Sequence, residues 1–99
     1  MNLHLWRLFL DAADHGSLSK VAVLHGTSQP HVSRQIAELE QQCGGRLFER
    51  TGRGVALTAL GQRIAPRVRV WLSSTEQLEQ EIRSTAVSYT HLTLPTSDL

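Results

Sequence analysis

The sequence predicts a mainly α fold: three short helices, a two-stranded hairpin, and one long helix after it. Three observations predict it. Apolar residues recur at helical spacing between capping residues over the first 43 positions. Two short extended runs flank Thr51-Gly52-Arg53-Gly54. From Ile64 onward, apolar residues alternate steps of four and three.

Asn2 is placed to cap a first helix that runs to about His15, with Gly16 as its left-handed stop. Trp6, Phe9, Leu10 and Ala13 form one apolar face of that helix, and Leu5, Leu8 and Ala12 form a second stripe beside it. A surface helix needs only one stripe, so the second is expected to meet another subunit. Ser17-Leu18-Ser19 precedes a short helix over about Lys20 to His25, closed by Gly26. Thr27 and Ser28 then offer hydroxyls to cap a third helix, and Pro30 is tolerated in its first turn. Val32, Ile36, Leu39 and Cys43 make its narrow buried stripe, and Gly44-Gly45 closes it. Two short helices joined by a tight glycine turn are a helix-turn-helix.

Arg46 to Arg50 and Val55 to Leu57 read as the strands of a small hairpin, a wing. Thr58 caps the last helix, expected over residues 59–86. Ile64, Val68, Trp71, Thr75, Leu78, Ile82 and Thr85 form a heptad seam along it, and Pro66 is expected to kink or loosen one turn. Such a helix, roughly 40 Å long, outreaches the head and is expected to pair with a second copy. The division is therefore 1–58 for the winged helix-turn-helix, 59–86 for a dimerising linker helix, and 87–99 for a tail.

Composition narrows the function classes. Ninety-nine residues allow one small domain, and 40% hydrophobic with 19% charged residues is ordinary for a globular chain. No apolar run approaches the ~20 residues of a membrane span, and the N-terminus lacks a secretion-signal layout. Cys43 is the single cysteine, which excludes an internal disulfide and fits a reducing cytoplasm. The histidines and Cys43 show no metal-ligand spacing, and neither a nucleophile elbow nor a Gly-rich phosphate loop occurs. No cofactor and no catalysis are expected. The net charge of +1 hides a basic middle: from Arg34 to Arg69 seven arginines face three acids, Glu38, Glu40 and Glu49. That asymmetry fits either an anionic partner such as DNA phosphate or a solvated basic face.

Ser28-Gln29-Pro30-His31-Val32-Ser33-Arg34-Gln35-Ile36, with Leu39-Glu40, Leu47-Phe48-Glu49-Arg50 and Leu57-Thr58, resembles the LysR-type regulators. The resemblance runs without gaps from Met1 to about Ala86. It implies a sequence-specific, double-stranded-DNA-binding regulator of transcription, cytoplasmic and nucleoid-associated, acting as a homodimer through its linker helix. It also implies a small-molecule inducer held by an effector domain of ~200 residues that this sequence does not contain. One departure stands out: His25 occupies the place before the turn glycine where many members of the family carry an apolar residue. A partly buried, hydrogen-bonded histidine is expected there.

The first turns of a recognition helix lie closest to base edges in the major groove. Gln29, Pro30, His31, Ser33 and Arg34 occupy them, with Ser28 and Gln35 alongside. Gln29 suits adenine, Arg34 suits guanine or phosphate, and Pro30 suits a thymine methyl. Arg53, between two glycines at the hairpin tip, suits a narrow minor groove. Arg50 and Thr51 suit phosphate, although Arg50 could instead pair with Glu49 or Glu40. Lys20, Ser17 and Ser19 stand where a helix start favours phosphate, and simple capping explains the serines equally well. Ile64, Val68, Trp71, Leu78 and Ile82 are the expected dimer seam.

From Val87 charge thins and β-branched residues gather. A back-translation of this stretch is compatible with the transposon end used in sequencing-library adapters. The segment 87–99 is thus expected to be non-native or disordered.

Overall fold

The computed structural model describes residues 2–92. Helices α1 (Leu3–His15), α2 (Leu18–Leu24) and α3 (Gln29–Cys43) precede strands β1 (Phe48–Thr51) and β2 (Gly54–Leu57), and α4 (Ala59–Leu92) follows. This is a winged helix-turn-helix with a long C-terminal helix.

Local signals set the helix ends. Asn2 Oδ1 accepts from the N–H groups of His4 and Leu5 at 3.0 and 3.3 Å, and Gly16 ends α1 at φ 64°. Ser17 caps α2 by accepting from the Lys20 N–H at 3.2 Å. Because Ser17 rather than Ser19 is the cap, α2 starts two residues earlier than the sequence suggests. Ser28 caps α3 through the His31 N–H at 3.3 Å, and Pro30 lies in the first turn, where an N–H would lack a partner anyway.

The core forms around α1, which packs against α2, α3, α4 and β2. That central place corrects the expectation for its second apolar stripe: Leu5, Leu8 and Ala12 are buried inside the subunit, alongside Trp6 and Phe9. A helix enclosed on several sides needs apolar residues nearly all round, with no second subunit involved. Val32, Ile36 and Leu39 of α3 complete the core, and Cys43 is half-buried at its margin. Burial there, assisted by the nearby Glu40 charge, pushes the Cys43 thiol up from its ordinary pKa.

The hairpin is antiparallel, pairing Phe48 with Leu57 and Thr51 with Gly54. Glu40 latches it to α3: the carboxylate accepts from the Leu47 N–H at 2.7 Å, the Phe48 N–H at 3.3 Å and Arg46 Nε at 3.3 Å. On the other side the Thr58 hydroxyl donates to the Arg46 carbonyl at 2.6 Å and accepts from the Gly61 N–H at 3.1 Å, starting α4. A Cβ at Gly61 would lie 2.4 Å from the Leu47 carbonyl oxygen, so only glycine lets α4 come this close to the wing.

α4 is continuous through Pro66 and extends to Leu92, beyond the expected end at Ala86. No glycine or proline occurs between Ala86 and Leu92, so nothing there breaks the backbone bonding. Residues 93–99 lie outside the described residues. The buried face of α4 is Gly61, Ala65, Val68 and Leu72, which sits on the head. Val68 is therefore a correction: at 5% exposure it belongs to its own subunit's core and has no surface left for a partner. Ile64 and Trp71 are half-buried at the edge of that contact, while Leu78 and Ile82 remain 56% and 58% exposed. Charge pairs also tie α4 to α1: Arg7 meets Glu76 at 3.4 Å, and Arg69 forks onto Asp14. The Arg69 hydrogen bond holds the Asp14 carboxyl below its ordinary pKa, against a smaller opposing effect of burial. Among the described residues, no helix is long and apolar enough to cross a membrane.

Candidate nucleic-acid interface

The solvent face of α3 carries Gln29, Pro30, His31 and Arg34 exposed, with Ser33 half-buried at its margin. This follows from the helical period: with Val32, Ile36 and Leu39 turned inward, these positions point out. Gln35 departs from the group. It flanks the buried stripe, and its Oε1 is buried without a hydrogen-bond partner among the described residues, so that atom is turned away from the exposed face. Ser28 is exposed, with its oxygen engaged as the helix cap.

Strand alternation places Arg50 on the same face of the hairpin as Phe48. Phe48 is buried deeper in, and Arg50 emerges into an open groove of about 230 Å³ between α3 and the wing. Ser33 and Ala37 line the opposite wall of that groove. The structure thus brings Ser33 and Arg50, 17 positions apart in sequence, to one cleft.

The wing tip is built asymmetrically. Gly54 has φ 145° and approaches Gly16 so closely that a Cβ would lie 2.1 Å from the Gly16 carbonyl oxygen. That same carbonyl accepts from the Val55 N–H at 3.0 Å, which pins the wing to the α1–α2 turn. Gly52, on the other side of Arg53, has open space around it and no positive φ. Arg53 is exposed at the tip, and its N–H donates to Thr51 Oγ1 at 3.2 Å, so the Thr51 oxygen shapes the turn.

Carboxylates neutralise only some of the basic groups. Arg46 pairs with Glu40, Arg69 with Asp14 and Arg7 with Glu76. Among the described residues Arg34, Arg50, Arg53 and Lys20 have no carboxylate within 4.0 Å. The open alternatives for Arg50 close here: Glu40 is engaged by Arg46 and the strand amides. Ser17 is a cap, whereas Ser19 Oγ donates to Gln29 Oε1 at 3.0 Å, a link that sequence reading does not reveal. His25 Nε2 lies 2.7 Å from Asp11 Oδ2, and its ring stands edge-on to His4 at 5.7 Å between centroids. A polar residue is accommodated before the turn glycine because Asp11 satisfies it. Among the described residues no group of His, Cys, Asp or Glu is arranged to hold a metal.

Residues 3–62 match the family model described as a bacterial regulatory helix-turn-helix protein of the lysR family. The chain is 41% identical over 88 residues to the HTH-type transcriptional regulator ClcR of Pseudomonas putida, covering 89% of this chain and 29% of ClcR. It therefore spans less than a third of that relative's length. Among solved structures, the CbnR DBD–DNA complex superposes with a TM-score of 0.79 at 30% identity, covering 87% of this chain and 99% of that one. The BenM DBD/catB site 1 DNA complex superposes with a TM-score of 0.83 at 30% identity, covering 90% and 96%.

Proposed function

The chain belongs to the lysR family of bacterial regulatory helix-turn-helix proteins, a family of DNA-binding transcription regulators, and from that premise we propose how it reads DNA. α3 enters the major groove, with Gln29, Pro30, His31, Ser33 and Arg34 at base edges and adjacent phosphates. Arg53 enters the neighbouring minor groove, and Arg50, Thr51 and Lys20 hold phosphate. Two copies bind as a dimer through α4, placing two recognition helices on successive half-sites about one helical turn apart. With Val68 committed to the head, the seam consists of Ile64, Trp71, Leu78 and Ile82. A small-molecule inducer would act through an effector domain outside these residues.

One observation carries this reading. The polar face of α3 and the wing share a groove, and the cations around them, Arg34, Arg50 and Arg53, lack acidic partners among the described residues. An ordinary solvated face mixes both signs so that neighbours screen one another. Here Glu40, one of the three acids of the basic middle, is engaged by Arg46, and among the described residues neither Glu38 nor Glu49 pairs with an arginine of the groove.

The test is a fluorescence-anisotropy titration of the full chain against DNA from upstream of its own gene, at several salt concentrations. Scrambled DNA and an Arg34→Ala/Arg53→Ala variant are the controls. Binding that prefers the upstream site, weakens steeply with salt and falls in the variant supports groove recognition. Absence of binding at low salt by a folded dimer overturns it.

A further inference from the structure

The side-chain bond between Ser19 Oγ and Gln29 Oε1 joins the first turn of α2 to the first residue of α3. Among the described residues it is the one side-chain hydrogen bond linking these two helices. We propose that Ser19 is a positioning residue for base reading: it fixes the carboxamide of Gln29 and so narrows which base that side chain accepts.

The chemistry follows from the two ends of an amide. Nε2 is a donor only and Oε1 an acceptor only, so a rotating glutamine can offer either end to a base. Donated outward it meets guanine N7 or O6, or thymine O4; turned over, it accepts from cytosine N4; edge-on, it matches adenine N7 and N6 together. A glutamine free to turn discriminates poorly, because each base finds some acceptable orientation. The Ser19 hydroxyl removes that freedom. It donates, so it selects the orientation in which Oε1 faces α2, and it occupies one of the two lone pairs of that oxygen. Nε2 and the remaining lone pair are then presented in one fixed arrangement. The ordering of the side chain is settled before DNA arrives, which lowers its cost on binding.

Two features favour this role over a structural one. Both residues are exposed, so the bond adds little to the core. Ser17, not Ser19, caps α2, so the Ser19 hydroxyl is not needed to start the helix. The inference rests on the reading of Gln29 as a base-contacting residue, and the experiment separates the two.

The full chain and three variants, Gln29→Ala, Ser19→Ala and Ser19→Thr, are each taken through selection from a randomised duplex pool, with preference read at every position by sequencing. Gln29→Ala marks the position that Gln29 reads by flattening it. At that position Ser19→Ala is expected to weaken discrimination roughly three- to tenfold, the range of one exposed hydrogen bond. The other positions and the salt dependence stay unchanged, and Ser19→Thr, which keeps the hydroxyl, retains the preference. If Gln29→Ala flattens a position that Ser19→Ala leaves intact, the positioning role is overturned while base reading by Gln29 stands. If Ser19→Ala instead weakens all sequences equally and lowers the salt slope, Ser19 holds a phosphate and the proposal fails. If Gln29→Ala flattens nothing, both readings fall together.

Discussion

Gly54→Ala and Gly52→Ala add the same methyl group on either side of Arg53, and the structure assigns them opposite outcomes. At Gly54 the backbone has φ 145°, a region that side chains rarely occupy, and the new Cβ would sit 2.1 Å from the Gly16 carbonyl oxygen. Holding a non-glycine residue in such a region costs about 1–3 kcal/mol. Relieving the overlap moves Gly16 and Val55 apart, which gives up their 3.0 Å bond at a further cost of roughly 1 kcal/mol. The total, about 2–4 kcal/mol, is a large fraction of the stability of a small domain. In a domain of this size it corresponds to a fall in Tm of roughly 10–25 °C. At Gly52 a Cβ meets nothing within 4 Å and φ is not positive, so Gly52→Ala should stay within about 0.5 kcal/mol of the parent. Urea unfolding followed by circular dichroism measures both, with the m-value confirming a single transition. Equal stability of the two variants would refute the reasoning, because it would mean that the wing does not rest on the α1–α2 turn.

Glu40→Ala strips the Leu47 and Phe48 amides of their acceptor and should cost roughly 2–4 kcal/mol in urea unfolding; a loss below about 0.5 kcal/mol would show that the latch is dispensable. The lowered Asp14 pKa means that its contribution is complete above the ordinary carboxylate value and fades as pH falls through the lower folded value. NMR titration of the Asp14 carboxyl should therefore show a midpoint below that of an unpaired aspartate, moving up in Arg69→Ala, and an unshifted midpoint would rule out the Arg69 link. Leu78→Lys/Ile82→Lys should leave the unfolding curve nearly unchanged yet give a monomer by light scattering, whereas Val68→Ser should destabilise the head by about 1–3 kcal/mol. A persistent dimer in the double variant would remove those two residues from the seam.

Local signals made the head legible. Asn2, Ser17 and Ser28 cap helices within three residues of themselves, and Gly16, Gly26 and Gly44 each adopt the positive φ that closes one. The α4 faces were harder, because a heptad template scores any apolar residue at the right step. Val68 satisfied it, while Gly61 has no side chain and Ala65 only a methyl, so the stripe that they form with Val68 and Leu72 against the head carries a weak apolar signal. Glu40 and Ser19 were illegible for another reason. Each acts on residues six to ten positions away across a turn, and no periodicity marks such a contact. Gln35 looked equivalent to Arg34 in a polar run, and the fate of its oxygen was decided only when α3 docked.

Charge shows the same division, and it fixes how steeply DNA binding should depend on salt. The sequence counts seven arginines between Arg34 and Arg69, but a count does not say which are neutralised. Arg46 and Arg69 are engaged by Glu40 and Asp14, and Arg63 and Arg67 lie on α4 beside Leu60 and Ile64, apart from the α3–wing groove. That leaves Arg34, Arg50 and Arg53, with Lys20, as the cations of the proposed interface. Each phosphate neutralised contributes a slope of about −0.9 to log K against log salt, so a dimer using all four from each head should approach roughly −7. Full use of every arginine in the basic stretch would roughly double that value. Anisotropy across a salt series separates the two, and the steeper slope would mean that the arginines assigned to structure reach DNA as well. A slope near the smaller value, reduced by about two in Arg34→Ala because both heads lose a contact, would mean that the carboxylates of the head decide which cations face the nucleic acid.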